Sequence, residues 1–276
     1  MRRLSFAGAL LLLLVPGRVA AGEPRPIVIL GALESETEPV AAELEGREPL
    51  RMQGIRGVAG TLAGRRVVVA VAGVGKVNAA MTTALLLERF SPPAVIFSGV
   101  AGALDPQLQP GDVVVGEKLV QHDLVNYTEA GPVLRSVRNP LDGAANPIVF
   151  ESSATLLALA RVAASRTALE PAEAGDGKRR PRVLFGTIAT GDSFVRSHLE
   201  RTRLREQLGA DAVEMEGAAV AQVCHQRGVL FLVVRGLSDR AGNDASQEAQ
   251  RHLRVSAGNA AQIATAVARQ LAAERP

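Results

Sequence analysis

The apolar residues of this chain fall into short unbroken runs, each closed by glycine or by a charged residue, rather than into alternating apolar and polar positions. Such runs predict strands at Pro26–Gly31, Arg66–Ala72, Ala94–Gly99, Asp112–Val120, Val183–Thr190, Ala212–Glu216 and Leu230–Gly236. Most are rich in β-branched residues, as expected of strands buried on both faces. Helical segments are predicted between several of them, at Lys76–Phe90, Ala154–Ser165, Ser197–Leu208, Gly217–Arg227 and Gln247–Ala273. The alternation predicts a single α/β domain, with a mixed, mainly parallel central sheet flanked by helices.

Charge changes this picture, because acids stand where three of the apolar runs end. Ile27–Gly31 is followed by Glu34 and Glu36, Ala212-Val213 by Glu214, Met215 and Glu216, and Val233-Val234 by Arg235, Ser238 and Asp239. A buried carboxylate is costly without a ligand or counter-ion, and ligands of α/β proteins bind beyond the carboxyl ends of strands. Three acidic strand ends converging on one ligand would form a site. An ion pair of Glu214 or Glu216 with Arg235 is the purely structural alternative. Two glycine-rich turns, Ala72-Gly73-Val74-Gly75-Lys76 and Ser98-Gly99-Val100-Ala101-Gly102-Ala103, follow neighbouring strands. Glycine there lets the backbone around Val74, Val100, Ala101 and Gly102 approach a ligand. Neither turn has the spacing of a Walker A loop or a dinucleotide-binding fingerprint.

Composition removes other classes. Met1-Arg2-Arg3, the apolar run Leu4–Val15 and the small residues up to Ala21 read as a secretory signal over residues 1–21, with an uncleaved anchor as the alternative. Export to the periplasm or medium follows, with residues 22–276 as the mature domain and no stable membrane association after processing. Removing the leader takes the formal charge from +3 to zero, so nothing global points to nucleic acid. The one cysteine, Cys224, excludes an intrachain disulfide and reads as a buried thiol, and four scattered histidines give no metal site. No cofactor is expected. Four further features have plain structural readings: Lys178-Arg179-Arg180-Pro181-Arg182 as a solvated loop, Lys76 as a solvated helix start, Phe194 as core, and His122 as structural. His122 and Asp123, adjacent on a strand, would face opposite ways.

Taken in order, Gly31-Ala32-Leu33-Glu34-Ser35-Glu36, Gly73-Val74-Gly75-Lys76-Val77-Asn78-Ala79-Ala80, Gly99-Val100-Ala101-Gly102-Ala103, Thr190-Gly191-Asp192-Ser193-Phe194, Val213-Glu214-Met215-Glu216-Gly217-Ala218-Ala219 and Val234-Arg235-Gly236-Leu237-Ser238-Asp239 resemble the nucleoside phosphorylase superfamily. Within it they look most like the 5′-methylthioadenosine/S-adenosylhomocysteine nucleosidases, over nearly all of residues 22–276. The resemblance implies a small-molecule nucleoside substrate, a homodimer and hydrolysis of a purine N-glycosidic bond with release of adenine. It implies that Glu36 activates water, Asp239 serves the purine N7, Glu216 and the Met215 backbone hold the ribose diol, Phe194 stacks on the base and the Val195 backbone reads its edge. Arg235 would hold the carboxylates from behind.

The chemistry asks for these residue types independently. Breaking the bond builds positive charge on ribose and negative charge on the purine, so a carboxylate by the sugar and an acid at N7 favour the transition state. A carboxylate in reach of water supplies a general base. Where phosphorylases of the superfamily carry phosphate-binding arginines, this chain has Glu34-Ser35-Glu36 and Ile96-Phe97-Ser98, which favours water as acceptor. Phosphorolysis and a non-catalytic exported nucleoside-binding protein are the alternatives. The chain departs from the nucleosidase pattern at Val100, at Ala245–Ala249, where an aromatic often stands, and in a longer segment at 170–182, which leaves the 5′ substituent open.

Overall fold

A computed structural model describes residues 25–174 and 177–273, so the expected leader at residues 1–21 lies outside the described residues. The chain runs β1 (Ile27–Gly31), α1 (Glu34–Ala42), β2 (Glu45–Pro49), β3 (Gly57–Leu62), β4 (Arg65–Val71), α2 (Lys76–Phe90), β5 (Ala94–Ala103), β6 (Val113–Gln121), β7 (Val125–Thr128), β8 (Gly131–Leu134) and β9 (Val149–Glu151). It continues through α3 (Ala154–Arg166), β10 (Ala172–Ala174), β11 (Gly177–Arg179), β12 (Val183–Thr190), α4 (His198–Leu208), β13 (Ala212–Glu214), α5 (Gly217–Gln226), β14 (Leu230–Asp239) and α6 (Ala245–Ala273).

The central sheet is mixed, with two parallel blocks at its heart: β4-β1-β5-β14 and β6-β12-β13. Antiparallel pairs join the blocks at both places where they meet, β14 to β6 and β13 to β5. Five strands therefore close into a barrel-like ring, while β3 and β2 extend the open side. Ile27, Ile29, Val67, Val69 and Ile96 pack in one layer with α3 and α6. Val28, Leu30, Val68, Val95 and Phe97 pack in the other with α2 and α5. Apolar neighbours on both faces are why the strands read as unbroken runs.

Several elements differ from the pattern-based expectation. Helix α1 is nine residues long and contains Pro39, which lacks the N–H that would bond to Ser35; so short a polar segment carries little periodicity. Strand β2, sequence EGREP, is exposed along its whole length and has no apolar alternation to reveal it. β5 runs on through the second glycine-rich turn to Ala103, and β14 runs on to Asp239, because they pair with each other and β5 also pairs with β13. His122 and Asp123 sit in a turn just past β6, not on a strand. The basic cluster is anchored rather than free: Arg179 pairs with the fully buried Asp112 at 2.6 Å and bonds to the Pro110 carbonyl at 2.7 Å. Arg182 donates its backbone N–H to Asp112 at 2.7 Å. Cys224 is buried on α5, as expected.

Candidate active site

The carboxyl ends of β1, β4, β5, β12, β13 and β14 meet at one place, and the three acidic strand ends meet there with them. Just past β1, α1 carries Glu36 at its third position, where the side chain turns back over the helix start. Its Oε2 accepts the Ala32 N–H at 2.7 Å and the Leu33 N–H at 3.0 Å, and its Oε1 accepts the Val100 N–H at 2.9 Å from β5. The N–H of Val100 is thus used whatever its side chain. Gly99 makes this approach feasible: a Cβ there would overlap Arg235 Nη1 and lie 2.8 Å from Glu36 Oε1.

Glu214 is committed to structure. It accepts the Glu216 N–H at 3.0 Å and the Gly217 N–H at 2.8 Å, at the N-terminus of α5, where the helix dipole favours an anion. It also takes the Thr190 hydroxyl and a guanidinium nitrogen of Arg235. Arg235 has no exposed surface; it lies over the Phe97 ring at 4.2 Å and reaches Glu216 Oε2 at 3.4 Å. The ion-pair reading therefore holds, with Glu214 saturated by its partners and Glu216 only partly engaged. Glu216 Oε1 accepts one further hydrogen bond, from the Gly75 N–H at 2.8 Å. Thr190 and Gly75 lie within the glycine-containing motifs, but their structural roles depend on distant partners that local sequence does not reveal.

Asp239 ends β14, its Oδ1 accepting the Ala241 N–H at 2.8 Å and its Oδ2 the Ser238 hydroxyl at 2.8 Å. A Cβ on Gly102 would lie 2.8 Å from Asp239 Oδ1, and the buried Ala101 precedes it. Ser238 therefore serves Asp239. Met215 is half-buried between Glu214 and Glu216, and Val74 is exposed beside Gly75. Val195 is buried in a small cluster with Leu104, Val120 and Val213. Phe194 is 52 % exposed, which overturns the core reading and leaves its ring open beside a cavity of about 310 Å³ that His122, Tyr127 and Val195 also line. A larger groove of about 800 Å³, lined by Arg161, Arg180 and Phe185 among others, lies at the opposite end of β12 and brings no carboxylate.

Burial dominates the electrostatics. It raises Glu36 above the ordinary carboxylate value against the opposing pull of Arg235 and three backbone N–H groups. Glu216 is pushed up to about 7 by burial and by the neighbouring Glu214. Asp239 is also raised by burial, against the Ala241 N–H and Ser238 hydroxyl. Glu36, Glu216 and Asp239 all have raised proton affinity, with Arg235 opposing the rise at Glu36 and Glu216, so the group is suited to hold and move protons.

The phosphorylase superfamily model matches residues 26–269. The chain is 38 % identical over 213 residues to the 5′-methylthioadenosine/S-adenosylhomocysteine nucleosidase of Mycobacterium bovis, covering 74 % of this chain and 81 % of that one. It superposes with a TM-score of 0.77 and 33 % identity on the Neisseria meningitidis nucleosidase solved with methylthio-immucillin-A, covering 90 % of this chain and all of that one. The nucleosidase of Colwellia psychrerythraea, solved with adenine, gives 0.77 at 31 % identity, over 90 % and 96 % of the two chains. With the fold, the strand-end carboxylates and these relatives in agreement, the chain belongs to the 5′-methylthioadenosine/S-adenosylhomocysteine nucleosidase family of the phosphorylase superfamily.

Proposed function

We propose that the chain hydrolyses the N-glycosidic bond of 5′-methylthioadenosine, S-adenosylhomocysteine or both, releasing adenine. The observation that carries this reading is the convergence of Glu36, Glu216 and Asp239 on one set of strand ends, with the buried guanidinium beside Glu36 and Glu216, that of Arg235, already bound to Glu214. Glu36 has one oxygen, Oε1, with a single backbone donor, leaving it a lone pair for a water proton. Glu216 keeps acceptor capacity on both oxygens, which suits a cis-diol and a ribose that becomes cationic. Asp239, with its raised proton affinity, is suited to deliver a proton to N7. Phe194 and the Val195 backbone take the base, and the Met215 backbone supports the sugar. In this reading Val74 and the backbone of Val100, Ala101 and Gly102 flank the substrate.

Among the described residues the guanidinium at this place, that of Arg235, is fully buried and bound to Glu214, so a phosphate dianion would meet acids rather than an accessible arginine fork. Incubating the protein with a nucleoside panel, with and without phosphate, tests the reading: base and free sugar should appear at equal rates in both. Strict phosphate dependence with ribose 1-phosphate as product refutes it, and binding without turnover supports a nucleoside-binding protein instead.

Two further features belong to the proposal. Val77 and Met81, four residues apart on α2, are exposed apolar side chains near Val74, which supports a homodimer packed on this face. Light scattering should give twice the monomer mass, and Val77→Glu should reduce it. The leader reading supports export, and mass spectrometry of the extracytoplasmic fraction should find a chain beginning near Gly22.

A further inference from the structure

The helix start at Lys76 is held by a closed ring of polar contacts that the proposed chemistry does not use. Lys76 Nζ donates to Asp123 Oδ1 at 2.6 Å. Asp123 Oδ2 accepts the Asp192 N–H at 2.9 Å, and Asp192 Oδ1 accepts the Lys76 N–H at 2.8 Å. The Lys76 and Asp123 side chains are only 18 % and 29 % exposed, so the pair is shielded enough to hold its geometry. The solvated reading of Lys76 is thereby corrected. His122 turns the other way and packs on Gly191, where a Cβ would overlap its ring.

The ring joins three segments: the turn after β4, the turn after β6 and the loop from β12 to Phe194. The first presents Gly75, whose N–H reaches Glu216, and a Cβ on Gly75 would lie 3.1 Å from Asp192 Oδ1. With φ of +91°, Gly75 adopts a backbone conformation that only glycine takes readily. Such a turn keeps its aim only if both sides are pinned. Glu216 and Asp192 thus accept the first two N–H groups of α2, Glu216 at the helix cap and Asp192 at its first residue, where the dipole favours both anions.

We infer that Lys76, Asp123 and Asp192 are positioning residues that fix the Gly75 N–H on Glu216 and so set the carboxylate that grips the ribose. The inference rests on the reading of Glu216 as the diol ligand. Severing the ring lets the Gly75 turn drift, and Glu216 loses the Gly75 N–H and its fixed direction. The charged-hydrogen-bond contribution is lost where the ribose hydroxyls are held, and not where the base is held.

The test compares 5′-methylthioadenosine with its 2′-deoxy analogue in wild type, Lys76→Met, Lys76→Arg, Asp123→Asn and Glu216→Gln, each checked for an unchanged fold by circular dichroism. Lys76→Met and Asp123→Asn should lower kcat/KM for the ribonucleoside about ten- to a hundredfold, the range for a lost charged hydrogen bond, and that for the deoxy analogue less than about threefold. Lys76→Arg, which keeps the cation, should recover most of the loss. Equal losses on both substrates, with Glu216→Gln still erasing the preference for the hydroxyl, would overturn the positioning role. If Glu216→Gln leaves that preference intact, the diol assignment itself fails. Should Lys76→Met not fold, Asp123→Asn and Lys76→Arg decide the same question.

Discussion

Replacing Arg235 by methionine tests the electrostatic centre of the site, because the side chain is fully buried and methionine fills much of its volume beside Phe97 without the charge. Arg235 stands 3.4 Å from Glu216 Oε2; two unit charges at that distance attract by about 5 kcal/mol at an effective dielectric of about 20. Breaking a buried pair by deleting one partner typically costs about 3–5 kcal/mol, because the other charge is left uncompensated. The site has a way to escape that cost. Burial and Glu214 already push Glu216 up to about 7, and without Arg235 its proton affinity rises further. Between the ordinary carboxylate value of 4.5 and the raised folded value, the folded protein binds a proton that the unfolded chain does not. Stability therefore falls as pH rises through this window, by about 1.4 kcal/mol per pH unit for one group. Removing Arg235 extends the window upward, so the variant should lose about 3–5 kcal/mol relative to wild type at pH 8.5 and roughly half of that at pH 5.5. Urea denaturation at the two pH values measures this directly. An equal loss at both would show that stranded carboxylates are not the source and that lost packing accounts for the whole effect.

Three further outcomes follow from the same geometry. Glu36→Gln can keep its carbonyl oxygen on the Ala32 and Leu33 N–H groups, but its NH2 then faces the Val100 N–H; steady-state kinetics should show kcat down by about 10²–10⁴-fold, and near-normal turnover in the folded variant rules out water activation by Glu36. In wild type, kcat/KM should rise with pH as Glu216 ionises near 7, and a profile flat from pH 5 to 8 contradicts the ionised diol ligand. Gly99→Ala forces a methyl onto Arg235 and Glu36 and should cost about 1–3 kcal/mol of stability by overpacking, together with activity; a variant that melts and turns over like wild type would mean that this close approach is not required.

The sequence by itself determined the two-faced burial of the strands, since a run such as Ile27–Leu30 has no polar position to spare for water, and with it the α/β class. It also determined which side chains are chemical, because Glu36, Glu216 and Asp239 sit at apolar strand ends where only a site or a partner can hold them. Their order in motifs made the family legible. Local pattern could not reveal what depends on distant pairing: β2 and α1 are too polar or too short to carry a period, and β5 continues through its glycines only because β13 and β14 pair with it there. Nor could it divide the roles of Glu214 and Glu216, two residues apart and chemically alike. Tertiary structure decided that, by bringing Thr190, Arg235 and the start of α5 onto Glu214 while leaving Glu216 with the Gly75 N–H and the edge of Arg235. It likewise joined Lys76 to Asp123 and Asp192, 47 and 116 residues away along the chain. Hydrogen-bond partners so far apart are chosen by the closure of the sheet, and no local propensity encodes that closure.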